Sequence, residues 1–314
     1  MIGEANRIRK VIFDTDPGID DAMALLYLSS IPRVELLGIT TVPGNASIET
    51  CTRNALILCE LFSIDTRVYP GDDTGLTGNL PDDYPDFVHG IDGLGELNLA
   101  DPAASPEPVN AWDFLTDSVR RAPNEITLLA VGRLTNLARA IQSDPTFAAN
   151  VKEVIFMGGT VATEGNVTPF AEANIIGDPE AASVLFDSGI PLTMVGLDVT
   201  NRTRMSIAYL EELFSFEPPF RETVLGMNRF YAGFYRDTEK TSDFPVHDSS
   251  AVACLDDPGL FSMVQGKLSC VLTGDQRGRT LIDEMTGGIH RVCSGVKSNI
   301  LLERYATSVT ERFC

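Results

Sequence analysis

Short apolar runs, each ending in a turn signal and passing into a helix-like segment, recur along this chain. That alternation constrains the fold more than any other feature. Residues 11–13, Val34–Thr41, 68–69, 126–131, 154–157 and 192–197 read as strands, because bulky and β-branched residues run unbroken up to Gly, Pro, Asn or Asp. Ile48–Leu61, 111–122, 134–141 and 178–186 read as helices, the last opened by Asp178-Pro179 as N-cap and first turn. Strands alternating with helices specify an open, mostly parallel sheet with helices on both faces. The expected class is therefore α/β, with residues 1–314 as a single domain. Residues 205–235 should be largely helical with a break at Pro218-Pro219, and 250–255 an apolar helix. Residues 268–272 and 297–305 are expected as edge strands. Residues 71–108, rich in Gly, Pro and Asp, read as a long functional loop carrying His89.

The first strand runs into an acidic turn. VIFDTDPGIDDAMALL (residues 11–26) sets Asp14, Asp16, Asp20 and Asp21 within eight residues, just before good helix formers. Asp16-Pro17 reads as N-cap and first helical residue. Asp16 and Asp20 then share one side of the first turn, with Asp21 beside them. One or two such carboxylates suit the helix dipole. Four repel one another and point to a hard cation held by oxygen ligands. An EF-hand loop does not fit, since counting from Asp14 places Gly18 at the fifth position and Leu25 at the twelfth.

Net charge of −20 argues against nucleic acid or an anionic membrane as partner and favours a small neutral or cationic ligand, or a metal. The polar start, residues 1–10, predicts no secretion signal, and no apolar run is long enough to span a bilayer. Six scattered cysteines without CxxC spacing predict buried, reduced thiols and a cytoplasmic protein.

In a parallel sheet, ligands bind beyond the carboxyl ends of the strands. Asp14 and Asp16 follow the first strand, Asn45 the second, and Glu172 and Asn174 the strand ending at Gly158-Gly159. Asn45 taken alone reads equally well as a turn former. Seven motifs occur in order: DTDPGIDDAMAL (14–25), TTVPGN (40–45), VHGIDGLG (88–95), AVGRLTNLA (130–138), MGG (157–159), GNVTPFAEANIIGDPEAA (165–182) and HD (247–248). This ordered set resembles the inosine–uridine-preferring nucleoside hydrolases over nearly the whole chain.

The resemblance implies the Rossmann-like nucleoside hydrolase fold and Ca²⁺-dependent hydrolysis of the N-glycosidic bond of ribonucleosides, as in nucleoside salvage. It implies a Ca²⁺ held by Asp16, Asp21, Asp248 and the main-chain carbonyl of Val131, where relatives commonly carry Thr. Asp16 would be the general base. Asp20 and Asn45 would grip the 2′- and 3′-side of the ribose, and Asn166, Glu172 and Asn174 the remaining hydroxyls. His247 reads either as the acid for the leaving base or as a residue that orients Asp248. His89 reads as a contact to the base or the 5′-hydroxyl. Asn228, Tyr231 and Tyr235 form a helical stripe that suits either the core or the base pocket. His290 has no supporting context. The chain departs from the family's HDP with His247-Asp248-Ser249. A homodimer or homotetramer is also implied. Two other classes share some of these residues. A Mg²⁺-dependent phosphatase would use Asp14 as nucleophile with Asp256-Asp257, and a non-catalytic nucleoside- or sugar-binding protein would need no base.

Overall fold

The computed structural model describes residues 8–78, 83–285 and 287–314. The first seven residues of the polar start and residues 79–82 of the long loop lie outside the described residues. The chain opens with β1 (Arg9–Thr15), α1 (Ile19–Ser29), β2 (Val34–Thr41), α2 (Ile48–Leu61), β3 (Val68–Pro70) and α3 (Asp86–His89). Its middle holds α4 (Ala111–Arg121), β4 (Ile126–Ala130), α5 (Thr135–Ser143), α6 (Phe147–Asn150), β5 (Glu153–Met157), α7 (Ala173–Gly177), α8 (Pro179–Phe186), β6 (Leu192–Val195) and α9 (Leu197–Thr200). The last third holds β7 (Arg204–Ser206), α10 (Ile207–Leu213), α11 (Arg221–Glu239), β8 (Asp243–Pro245), α12 (His247–Asp256), β9 (Phe261–Cys270), β10 (Thr280–Asp283), β11 (His290–Val296) and α13 (Ser298–Phe313).

Nine strands form one sheet in the order β10-β9-β11-β6-β5-β4-β1-β2-β3, parallel from β11 to β3, with β9 antiparallel to both its neighbours. Side chains alternate between its faces, as the pleat requires. Val11, Phe13, Leu129, Ile155 and Met157 enter one core, with α1, α11, α12 and α13. Ile12, Leu128, Ala130, Val154 and Phe156 enter the other, with α4, α5 and α8. From β1 the chain winds outward to β2 and β3, then crosses back to β4 and winds the other way to β6. The strand order therefore reverses between β1 and β4. Connections leaving their carboxyl ends diverge there and open a crevice.

Three expectations need correction. Helix α1 starts at Ile19 with Gly18 as N-cap, not at Asp16-Pro17. Asp21 at the third helical position turns back to accept from Gly18 N at 2.9 Å, so Asp16 is left outside the helix. Residues 297–305 belong to α13, not to an edge strand. Leu301, Tyr305 and Val309 are buried while Glu303 and Thr307 between them are exposed, which a strand's two-residue period does not allow, and Tyr305 Oη donates to Met23 O at 3.2 Å. Residues 268–272 are only the end of a longer strand, β9, paired with β11 and β10. The long loop also holds one turn of helix, α3, whose last residue is His89. Asp178 does cap α8, accepting from Ala181 N at 3.1 Å.

Candidate active site

A cleft of about 660 Å³ opens over the crevice between β1 and β4. Nine residues singled out from the sequence line it: Asp20, Asn45, His89, Val131, Asn166, Glu172, Asn174, His247 and Asp248. Asp16 and Asp21 are buried behind this lining, at 2% and 1% exposure. They are reached through Asn45, whose backbone N–H donates to Asp16 Oδ2 and whose Nδ2 donates to Asp21 Oδ2, both at 2.9 Å.

The turn between β1 and α1 is shaped by these carboxylates. Asp21 is oriented by four hydrogen bonds: Thr15 Oγ1 and Asp16 N donate to Oδ1, while Gly18 N and Asn45 Nδ2 donate to Oδ2. Asp16 is held less completely, since its Oδ1 is buried and without a partner among the described residues, as is Asp20 Oδ1. Asp16 fits only because glycines face it. A Cβ at Gly44 would stand 1.9 Å from Oδ2, and one at Gly132 2.5 Å from Oδ1. Oxygens of Asp20, Asp21 and Asp248 come within 4.8 Å of one another. Of the expected ligand set, Asp21 and Asp248 are in this cluster together with Asp20, and Asp16 stands beside it with Oδ1 unpartnered among the described residues. The Val131 carbonyl accepts from Asn174 Nδ2 at 2.7 Å, which leaves it one lone pair.

Burial raises the pKa of Asp16, and the neighbouring charges of Asp21 and Asp20 raise it further. Asp20 is raised by burial, Asp21 by burial and then by Asp20, and Asp248 by burial and then by Asp20, Asp21 and Asp16. Buried carboxylates in such proximity hold protons unless a cation neutralises them. The oxygen-only donors and the two orphaned oxygens fit a hard divalent ion.

His89 accepts from the first N–H of α1, Ile19 N to Nδ1 at 3.1 Å. The neutral ring therefore carries its proton on Nε2, and burial lowers its pKa. His247 is pushed down to about 3, by burial first and then by Arg204. Its Nδ1 lies 2.8 Å from Thr200 Oγ1 and its Nε2 3.3 Å from Tyr235 Oη. Tyr235 Oη is 3.3 Å from Tyr231 Oη, which donates to Asp20 Oδ2 at 3.5 Å. The tyrosine stripe is thus buried and also faces the cleft. Asn228, by contrast, is core, donating to Val224 O.

Glu172 serves the backbone: it caps α7 through Asn174 N and Ile175 N and accepts from Gly159 N at 2.7 Å. Asn166 Oδ1 accepts from Ala173 N at 3.0 Å. His290 lies away from the cleft, accepting from Leu268 N. Asp14 does not line the cleft; its Oδ1 is held by Thr40 Oγ1 and by Asn136 Nδ2, and burial pushes its pKa up to about 7. Asp256 sits at the opposite end of α12 from Asp248, paired with Arg33 and Arg304. A phosphatase built on Asp14 and Asp256-Asp257 therefore has no common site here. Thr40, Asn136 and Thr200 support the site unseen from the sequence. The first two stand inside matched motifs, and Thr200 carries no signal.

Comparison with known proteins agrees with this arrangement. The family model described as inosine-uridine preferring nucleoside hydrolase matches residues 11–306. Uridine nucleosidase 1 of Arabidopsis thaliana is 41% identical over 276 residues, 88% of this chain and 82% of that protein. The non-specific ribonucleoside hydrolase RihC of Salmonella enteritidis is 36% identical over 277 residues, 88% of each chain. Among solved structures, a plant nucleoside hydrolase superposes with a TM-score of 0.93 at 35% identity, over 96% of this chain and 99% of that one. The purine-preferring ribonucleoside hydrolase of Gardnerella vaginalis gives 0.92 at 31% identity, over 96% and 98%. With its crevice at the strand reversal and its motifs in family order, the chain belongs to the inosine-uridine preferring nucleoside hydrolases and is a nucleoside N-ribohydrolase.

Proposed function

We propose that the chain hydrolyses ribonucleosides to ribose and free base in a Ca²⁺-dependent reaction centred on Asp16. The observation that carries this reading is the buried acidic floor of the cleft, with Asp16 Oδ1 and Asp20 Oδ1 left without partners. Asp16, Asp21, Asp248 and the Val131 carbonyl would hold the ion, with Asp20 close enough to share it. When bound, Ca²⁺ supplies a water of lowered pKa and a fixed point for the ribose hydroxyls.

The glycosidic C–N bond breaks through an oxocarbenium-like state, which a ring of anions stabilises. Asp16 takes the proton of the attacking water, whose oxygen bonds to the anomeric carbon. Asp20 and Asn45 hold the 2′- and 3′-hydroxyls; Asn166, Glu172 and Asn174 bind the remaining edge. The departing base needs a proton or a hydrogen bond. His247 is neutral well above its lowered pKa, so it acts through the hydrogen bonds it shares with Tyr235 and Thr200 rather than as an imidazolium. His89 offers its Nε2–H to the base or the 5′-hydroxyl.

We further read the chain as one cytoplasmic domain assembling as a homodimer or homotetramer. One sheet passing through both cores supports the single domain, and free cysteines support a reducing compartment. Among the described residues no helix is long and apolar enough to cross a membrane.

The test is incubation with inosine, uridine and p-nitrophenyl phosphate, with and without chelator. Reducing sugar from the nucleosides, abolished by chelator and restored by Ca²⁺, is the expected result; release of phosphate alone, or turnover indifferent to chelator, refutes the reading. Gly44→Ala is expected to cost about 10²-fold in turnover, because the new methyl group displaces the Asp16 carboxylate. Steady-state rates on the folded variant check this.

A further inference from the structure

The amino ends of the strands, opposite the catalytic cleft, frame a second cavity of about 600 Å³. Ile155, Thr193, Cys254 and Met263 give it a largely apolar floor. Around them stand four cations, Arg9, Lys10, Lys152 and Arg291, against three carboxylates, Glu35, Glu125 and Glu153. In a chain of net charge −20 such an excess is local and needs a reason. The catalytic cleft shows the contrast, since the described residues lining it include five carboxylates and no Lys or Arg.

The floor carries an independent sign of a ligand. Thr193 is 1% exposed, yet its Oγ1 has no hydrogen-bond partner among the described residues. A buried hydroxyl in that state is unfavourable until another polar atom meets it. The rim is also able to exchange partners. Arg291 pairs with Glu153 at 3.1 Å, Lys10 with Glu125 at 2.7 Å, and Lys152 stands 3.9 Å from Glu153. These pairs are partly exposed, so a doubly charged anion competes with them at small cost. Guanidinium and ammonium groups side by side suit phosphate oxygens, while the floor suits a flat ring. The volume falls in the range of small-molecule sites, roughly 300–1,000 Å³.

We propose that this cavity is a second ligand site, for a nucleoside 5′-monophosphate. The phosphate lies among Arg9, Lys10, Lys152 and Arg291, the base rests on Ile155 and Met263, and Thr193 Oγ1 meets a polar atom of the ligand. The phosphate monoester is the shared chemistry of several ligands, so calorimetry with uridine 5′-monophosphate, ribose 5-phosphate and inorganic phosphate separates them. Each titration is run in saturating ribose, which keeps the catalytic cleft occupied. Uridine 5′-monophosphate should bind saturably and most tightly of the three. Lys152→Glu should weaken it at least about tenfold, and Thr193→Val about threefold, both variants melting like the parent. Equal affinity for all three anions would mean an adventitious ion only. Binding seen in parallel titrations without ribose but lost in its presence, or variants that bind like the parent, would equally overturn the site.

Discussion

Asp16→Asn is expected to lower nucleoside turnover by about 10²–10⁴-fold, the range a positioned general base contributes, while the chain folds normally. The two side chains have the same shape, and an amide oxygen still accepts from Asn45 N as Asp16 Oδ2 does. What is lost is the capacity to take a proton at Oδ1, the atom left without a partner in this structure. KM should move much less than kcat, since in the proposed reading the ribose contacts fall to Asp20, Asn45 and Asn174. Steady-state kinetics beside a circular-dichroism melt would show both, and an undiminished kcat would remove Asp16 from its role as base.

Removal of divalent ions should have the second large effect, and its sign with pH is fixed by the carboxylates. In the metal-free chain Asp14 is raised to about 7, and Asp16, Asp20, Asp21 and Asp248 are all raised, burial being the first cause in each. A carboxyl raised on folding stabilises the fold fully below its unfolded pKa, and that stability is lost as pH rises through the folded value. The carboxylates' share of metal-free stability is therefore largest near pH 4 and falls towards pH 7, while His89 and His247, lowered to about 4 and about 3, pull the other way below about pH 6.5. Ca²⁺ at a hundredfold its Kd should restore about 2.7 kcal/mol at neutral pH. The restoration should shrink as pH falls, because protons compete for the same oxygens. Melting curves over this pH range with chelator or Ca²⁺ test it; a Ca²⁺ stabilisation that did not grow as pH rose would contradict the acidic floor described above.

Much of this was legible from the sequence, for physical reasons. The strands of the central sheet are buried on both faces, so 126–130 and 154–157 appear as unbroken apolar runs that need no tertiary knowledge. Asp178-Pro179 announces a helix start because Asp178 keeps Oδ1 for Ala181 N of α8, even though its Oδ2 takes Thr135 Oγ1 and Leu76 N. The same letters mislead at Asp16-Pro17, where Asn45 claims the carboxylate from the turn after β2 and Asp21 caps α1 instead. Strands β9 to β11 were hard to see because each is partly exposed and breaks its own alternation, as in the register shift between Cys293 and Gly295. Residues 297–305 misled because a short apolar window does not distinguish strand from helix until Val309 is counted in. In the site, spacing located the carboxylates but not what holds them. That Thr40 and Asn136 clamp Asp14 depends on β2 and α5 meeting β1 in space.

The reversal of strand order has one more consequence. Asp16, Asp20, Asp21 and Asn45 reach the crevice from the β1–β3 half of the sheet, whereas Val131, Glu172 and Asn174 reach it from the half that begins at β4. Neither half holds all of the proposed site residues, and the chain passes from one to the other along the long connection from β3 to β4. In the proposed reading, a nucleoside seated across this seam would be grasped from both sides and act as a staple between them.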